Sequence, residues 1–221
     1  MENSPAHALL LGHRGARASR QLTENTLESF ALCLEHGCDG FEFDVRRSGD
    51  GHAVICHDPT IRGLRIEETS AKELCLPSVN EVLRQFSQRA FLDIELKVPG
   101  LESQVLTALS EHPPQRGYVV SSFLPDVLDR IEALGPRVPL GFIFDRQNHN
   151  PPSHLDLAWT IPHFKLVSRE MVEEVHGSGE KIMVWTVNRA EDIQRLVEWG
   201  VDAIVSDETG MLGKFRELSK R

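Results

Sequence analysis

Two histidines, each followed by a charged residue, bracket a group of acids early in this 221-residue chain: His13-Arg14, then Glu42 and Asp44, then His57-Asp58, with Glu95 and Lys97 farther on. Two imidazoles can move protons near neutral pH, a cluster of carboxylates can hold a hard divalent cation through oxygen, and two cations can hold a phosphate. Those parts together suit metal-assisted cleavage of a phosphodiester. Each lies at the end of a short apolar run, so strands of a barrel or sheet would deliver them all to one rim.

The elements that must do this are legible as periodicity. Ala8 to Leu11 reads as a strand, and a helix begins at about Glu24, with Leu27, Phe30, Ala31 and Leu34 at i, i+3, i+4 and i+7 and Gly37 as its stop. Phe41 to Val45 alternates apolar residues with acids, which puts Glu42 and Asp44 on one strand face. In a closed barrel that face points to the axis, so the two acids must meet in the lumen or at its mouth. Ala53 to Cys56 is a further short extended run. The pattern weakens from Thr60 to Leu76, and a helix is expected near Ser78 to Phe86. The strand Phe91 to Leu96 again alternates acids, Asp93 and Glu95, with aliphatics.

The later half repeats a strand-helix unit: strands at 118–121, 140–144, 157–161, 182–186 and 203–205, helices at 125–134, 168–177 and 189–199, a loop at 147–153, and a last helix through Lys214. Such βαβ crossovers imply a parallel sheet with helices outside. The expected fold class is α/β, a TIM (β/α)8 barrel, with an open doubly wound sheet as the second choice. The chain carries neither G-x-G-x-x-G nor G-x-x-x-x-G-K-[ST], so the nucleotide-binding open sheets lack their usual signal. We expect one domain over 1–221 with a short insertion at about 58–77.

Composition narrows the partners. A formal charge of −9 and the lack of a Lys/Arg run argue against nucleic acid. No stretch is apolar for long enough to span a bilayer, and the start, MENSPAHALLLG, lacks the basic region of a signal peptide. The four cysteines fall in no C-x-x-C or zinc spacing, which favours a reducing compartment. A cytoplasmic enzyme without stable membrane insertion is expected, acting on a small molecule; a homo-oligomer is compatible with the sequence.

The series His13-Arg14-Gly15, Glu24-Asn25-Thr26, Glu42-Phe43-Asp44-Val45, His57-Asp58, Glu95-Leu96-Lys97, Ser121-Ser122-Phe123, Trp185-Thr186-Val187-Asn188 and Ser206-Asp207 resembles, in order and over nearly the whole chain, the glycerophosphodiester phosphodiesterase family of bacterial type. The resemblance implies a TIM barrel that hydrolyses glycerophosphodiesters to glycerol 3-phosphate and an alcohol with a divalent cation, Mg²⁺ or Ca²⁺. It implies Glu42, Asp44 and Glu95 as metal ligands, His13 and His57 as the acid/base pair, Arg14 and Lys97 as phosphate-binding cations, and Trp185 as an apolar wall. The chain departs from the family in one place. Only 38 positions separate His57 from Glu95, so the insertion that covers the substrate is shortened.

Plainer readings stand beside these. A strand-end histidine can merely cap a loop, Glu42 and Asp44 can pair with Arg46 and Lys97, and Lys97 can serve only to neutralise Glu95. Asp58 before Pro59 reads as a turn-former, and Asn25 or Thr26 as a helix cap. Glu24 reads as a support for the rim, and Trp185 as core. Asp93, Asp207, Ser122 and Asn188 read as residues that orient neighbours. The other eight histidines show no spacing that marks a role. Lysophospholipase D-like cleavage of acylated glycerophosphodiesters and a non-catalytic barrel for phosphorylated ligands are the competing functions. A metal amidohydrolase has weaker support, since no His-x-His pair ends a strand.

Overall fold

Alternation and capping place the first elements. The computed structural model describes residues 8–135, 137–146 and 151–219; part of the loop expected at 147–153, with His7 and His149, lies outside them. Strand β1 (Leu9–His13) leads to helix α1 (Leu27–Glu35), which starts three residues later than its periodicity suggests. The reason is local: Asn25 has a left-handed backbone (φ 57°) and Thr26 caps the helix in a reciprocal box with Ser29. Strand β2 (Gly40–Arg47) follows, then β3 (Ala53–Ile55), the hairpin β4 (Thr60–Ile61) and β5 (Leu64–Arg65), a 3-10 turn at Ile66–Glu68, and the single-turn helix α2 (Ala71–Leu74). Helix α3 (Val79–Phe86) is capped by Ser78, whose partner Glu81 returns the bond.

The repeating part follows closely: β6 (Phe91–Leu96), α4 (Glu102–Glu111), β7 (Tyr118–Ser122), α5 (Pro125–Leu134), β8 (Leu140–Phe144), β9 (Leu157–Pro162), α6 (Arg169–Gly177), β10 (Lys181–Val184), α7 (Ala190–Trp199), β11 (Ala203–Ser206) and α8 (Thr209–Ser219). Eight strands pair in parallel in the order β1-β2-β6-β7-β8-β9-β10-β11, and β11 pairs back to β1, so the sheet closes into a TIM barrel.

Three features depart from expectation. The extended run at 53–56 forms β3 but stands outside the ring of parallel strands, because β3 pairs antiparallel with the protruding end of β2. The stretch from Thr60 to Leu76 is ordered, and its hairpin turns on Arg62 and Gly63, both at positive φ (51° and 78°). Helix α4 lies in a stretch where no element is expected from the sequence; it buries Val105, Ala108 and Leu109.

Packing sorts the two faces of β2. Phe41 and Phe43 turn outward onto Phe30 of α1 and Phe86 of α3, with Phe30 stacked on Phe41 at 4.2 Å. Glu42 and Asp44, on the opposite face, turn inward. The lower lumen is filled by Leu11, Val119, Trp159, Met183 and Ala203 among others, so it is a packed core rather than a pore. Gly40 permits the close approach of β2 and β6: a Cβ there would stand 1.8 Å from the Phe91 carbonyl oxygen.

Candidate active site

Strand register assembles the acids. The β2/β6 pairing sets Glu42 beside Asp93 and Asp44 beside Glu95, while the β1/β2 pairing sets His13 beside Glu42. Glu42, Asp44 and Glu95 are buried, and one oxygen from each lies within 4.8 Å of the others. Burial, reinforced by their mutual repulsion, pushes the Glu42 carboxyl well above its ordinary range. Burial likewise raises Glu95 to about 7 against the pull of Lys97, and Asp93 to about 7 although Ser121 donates to it at 2.5 Å.

Two atoms in this cluster, Glu42 Oε1 and Asp44 Oδ1, are buried without a hydrogen bond. Lys97 Nζ stands 3.4 Å from Asp44 Oδ1, close enough for ionic attraction but outside hydrogen-bond geometry. Unpartnered buried carboxylate oxygens are costly. An all-oxygen set with two such atoms fits a hard divalent cation.

The cations are held by the same acids. Arg14 and Gly15 both adopt positive φ (55° and 80°), and a Cβ on Gly15 would meet Ser29 Oγ at 2.6 Å, so the turn after β1 is specific to its sequence. That turn aims the Arg14 amide at Glu42 Oε2 (2.9 Å) and its guanidinium at Glu24 (2.7 Å) and Asp44 (3.4 Å). Lys97 Nζ donates to Glu95 at 2.6 Å; burial opposes its charge, but Glu95 and Asp44 outweigh that and raise its pKa. Thr26 is the helix cap, whereas Asn25 reaches inward and donates to Asp44 Oδ2 at 2.8 Å. Glu24 bridges Arg14 and Arg17.

Each histidine has its own carboxylate. His13 Nδ1 lies 2.7 Å from Asp207 Oδ1, and its Nε2 lies 3.9 Å from Glu42. Asp207 in turn accepts from Asn188 Nδ2 (2.7 Å) and Arg17 (3.1 Å). Burial works against its charge, yet His13, Asn188 and Arg17 hold the Asp207 carboxyl far below the usual range. His57 Nδ1 lies 2.7 Å from Asp58, so Asp58 does more than turn the chain. Burial lowers the His57 pKa, against the pull of Asp44 and Asp58. Arg46 Nε donates to the His57 carbonyl at 2.6 Å and fixes its backbone.

These groups line one cavity of ≈ 240 Å³: His13, Arg14, Glu42, His57, Glu95 and Lys97 on one side, and Phe123, Ile143, Ile161, Trp185 and Val205 on the other. Trp185 follows β10, packs edge-on to Phe123 (5.5 Å) and His163 (5.4 Å), and donates its indole N–H to the Ile161 carbonyl. It is therefore part of the cavity wall as well as of the packing. The structure brings together all the sequence-derived candidates. Arg17 is the site residue that no spacing signals; Arg46, read from the sequence as able to pair with Glu42 and Asp44, donates instead to the His57 carbonyl, and Phe123 of the Ser121-Ser122-Phe123 run forms part of the wall. A proton-transfer pair, an oxygen cage and two cations facing an apolar wall can bind and cleave a small phosphodiester.

Comparison with known proteins gives the same answer. The model of the glycerophosphoryl diester phosphodiesterase family matches residues 13–111 and 100–211. A glycerophosphodiester phosphodiesterase from Caldanaerobacter subterraneus subsp. tengcongensis is 29% identical, covering 90% of this chain and 94% of its own. Among solved structures, a glycerophosphodiester phosphodiesterase from Thermotoga maritima superposes with a TM-score of 0.83 at 27% identity, covering 95% of this chain and 99% of that one. An Oleispira antarctica phosphodiesterase in complex with the product sn-glycerol-3-phosphate also gives a TM-score of 0.83 at 27% identity, with coverage of 97% and 98%.

Proposed function

The chain belongs to the glycerophosphoryl diester phosphodiesterase family, and from that premise we propose that its cavity hydrolyses glycerophosphodiesters to glycerol 3-phosphate and an alcohol by histidine acid/base catalysis at a divalent cation, Mg²⁺ or Ca²⁺. The observation that carries the reading is the cluster of Glu42, Asp44 and Glu95, with two unsatisfied oxygens, between the two carboxylate-held histidines. Those three carboxylates are the ligands. When bound, a cation supplies positive charge to the phosphate and acidity to a neighbouring hydroxyl.

The chain's own groups do the rest. Arg14 and Lys97 hold the phosphate oxygens by charge-assisted hydrogen bonds. The apolar wall of Trp185 and Phe123 orients the carbon skeleton of glycerol. His57, its pKa lowered by burial, enters neutral and takes the proton of the glycerol 2-hydroxyl as that oxygen attacks phosphorus. His13, aimed by Asp207, protonates the departing alcohol. Water then opens the cyclic glycerol phosphate with the two roles exchanged. General acid/base help of this kind supplies roughly 10² to 10⁴ in rate.

The surface favours water-soluble substrates over acylated ones. Among the described residues the exposed large apolar side chains are Leu124 and Leu134, at opposite ends of α5, which is no platform for an acyl chain.

The deciding assay is release of glycerol 3-phosphate from glycerophosphocholine and glycerophosphoethanolamine, with EDTA, with Mg²⁺ or Ca²⁺ restored, and with His13→Ala and Glu42→Ala. Metal-dependent release lost in both variants is expected. Cleavage of lysophospholipid in preference to both substrates would move the assignment to the acylated class, and no turnover of any of them would leave a binding protein.

A further inference from the structure

We propose that a second cleft at the barrel mouth receives the departing alcohol and selects glycerophosphodiesters whose alcohol carries an anionic group, a carboxylate or a phosphate; the inference rests on the phosphodiesterase reading above. This cleft, of ≈ 200 Å³, is lined by Arg46, Arg47, Pro59, Ile66, Val98 and Pro99. Its lining continues that of the catalytic cavity along the chain: Pro59 stands two residues beyond His57, Val98 follows Lys97 directly, and both His57 and Lys97 line that cavity.

Both arginines line it at the end of β2. By strand alternation Arg46 shares its face with Glu42 and Asp44, and at about 3.3 Å per residue it stands about 7 Å farther out than Asp44, while Arg47 leaves the strand from the other face and reaches the cleft from its outer side. A group attached a few bonds beyond the phosphorus spans such a gap. The bond from Arg46 Nε to the His57 carbonyl locks this guanidinium against the catalytic edge and leaves its remaining N–H groups for a ligand. Arg47 reaches over Gly100, its Nη1 3.5 Å from where a Cβ would sit there, so the glycine leaves it room.

In a chain of net charge −9, neither Arg46 nor Arg47 has a carboxylate within 4.0 Å among the described residues. Other arginines, Arg84 and Arg116 among them, are unpaired too, but here two such side chains line one cleft beside the catalytic edge. The acid that lines this cleft, Glu67, is engaged by Arg65. Two arginines lining one cleft with the apolar Ile66 and Val98 suit a ligand that carries a planar carboxylate or a phosphate. The short insertion after His57 supplies Pro59 and Ile66, which makes it one wall of this subsite.

The test compares glycerophosphoserine with glycerophosphoethanolamine, which differ by one carboxylate, on the metal-loaded enzyme and on Arg47→Ala and Arg47→Glu. Arg47 is exposed, so both variants keep the fold. The wild type should favour the serine compound in kcat/KM by about fivefold, chiefly through KM, the scale of one half-exposed ion pair. Arg47→Ala should remove the preference, and Arg47→Glu should invert it, because the new carboxylate repels the carboxylate of the serine compound and attracts the ammonium of ethanolamine. Equal kcat/KM for the two substrates, or an equal effect of Arg47→Glu on both, overturns the subsite while leaving the phosphodiesterase intact; no turnover of either overturns both.

Discussion

The two sides of the barrel mouth differ in kind. Where β1, β2 and β6 end, the cavity is walled by His13, Glu42, Asp93 and Glu95, with His57 and Lys97 just beyond; across from them it is walled by Ile143, Ile161, Val205, Phe123 and Trp185. The charged side concentrates buried carboxylates whose pKa values are pushed upward, an arrangement that destabilises the fold and is suited to chemistry. The apolar side is ordinary packing left open at its top. Rate and the grip on the phosphate should therefore belong to the first side, and affinity for the carbon skeleton to the second.

Within the charged side the two histidines also contrast, and that contrast gives the largest expected effect. Asp207 is half-hidden and itself held by Asn188 and Arg17, whereas the Asp58 side chain is 69% exposed. On the proposed mechanism Asp207→Asn should lower kcat by roughly 10², because it frees the imidazole assigned there as the acid, while Asp58→Asn should cost about tenfold. Steady-state kinetics on the two variants checks this, and equal losses would break the distinction.

The next prediction separates the sides by pH. In the metal-free protein Asp93 and Glu95 are raised from ordinary values of 3.8 and 4.5 to about 7. The folded state then holds protons that the unfolded chain has released, so stability falls as pH rises from about 4 to about 7 and levels above. EDTA-treated protein should melt a few degrees lower at pH 8 than at pH 5, and Mg²⁺ should restore the loss at pH 8. A Tm that is flat with pH in EDTA would mean that the acids are not strained as their burial implies.

The smallest effect belongs to the apolar side. Trp185→Ala should raise KM about tenfold by removing buried contact area and leave kcat within a factor of a few. A fall in kcat as large as that of Asp207→Asn would erase the division between the sides.

The same division explains what the sequence disclosed. Glu42, Asp44 and Glu95 stood out because an acid alternating with aliphatics in a buried strand has few explanations, and period-2 spacing fixed their common face. Trp185 looked equally like core, since an apolar wall and an apolar core use the same residues. Asp207 was legible only as a residue that orients a neighbour, and the neighbour, His13, is 194 positions away. Arg17 carries no local mark at all. In the fold, β3 imitated a barrel strand because three apolar residues do not say which way they pair. The β4–β5 turn was hidden because Arg62 occupies a left-handed position where glycine or asparagine is the usual signal.

Closure of the barrel has a consequence for when activity can appear during synthesis. His13 is made with the first strand and Asp207 directly after the last, and β11 must seat against β1 before the two meet. The three metal-binding candidates lie on β2 and β6 and are complete by residue 95. A nascent chain thus has the three clustered acids long before His13 has its carboxylate, and on the mechanism proposed above turnover would begin only once the ring of strands has been joined end to end.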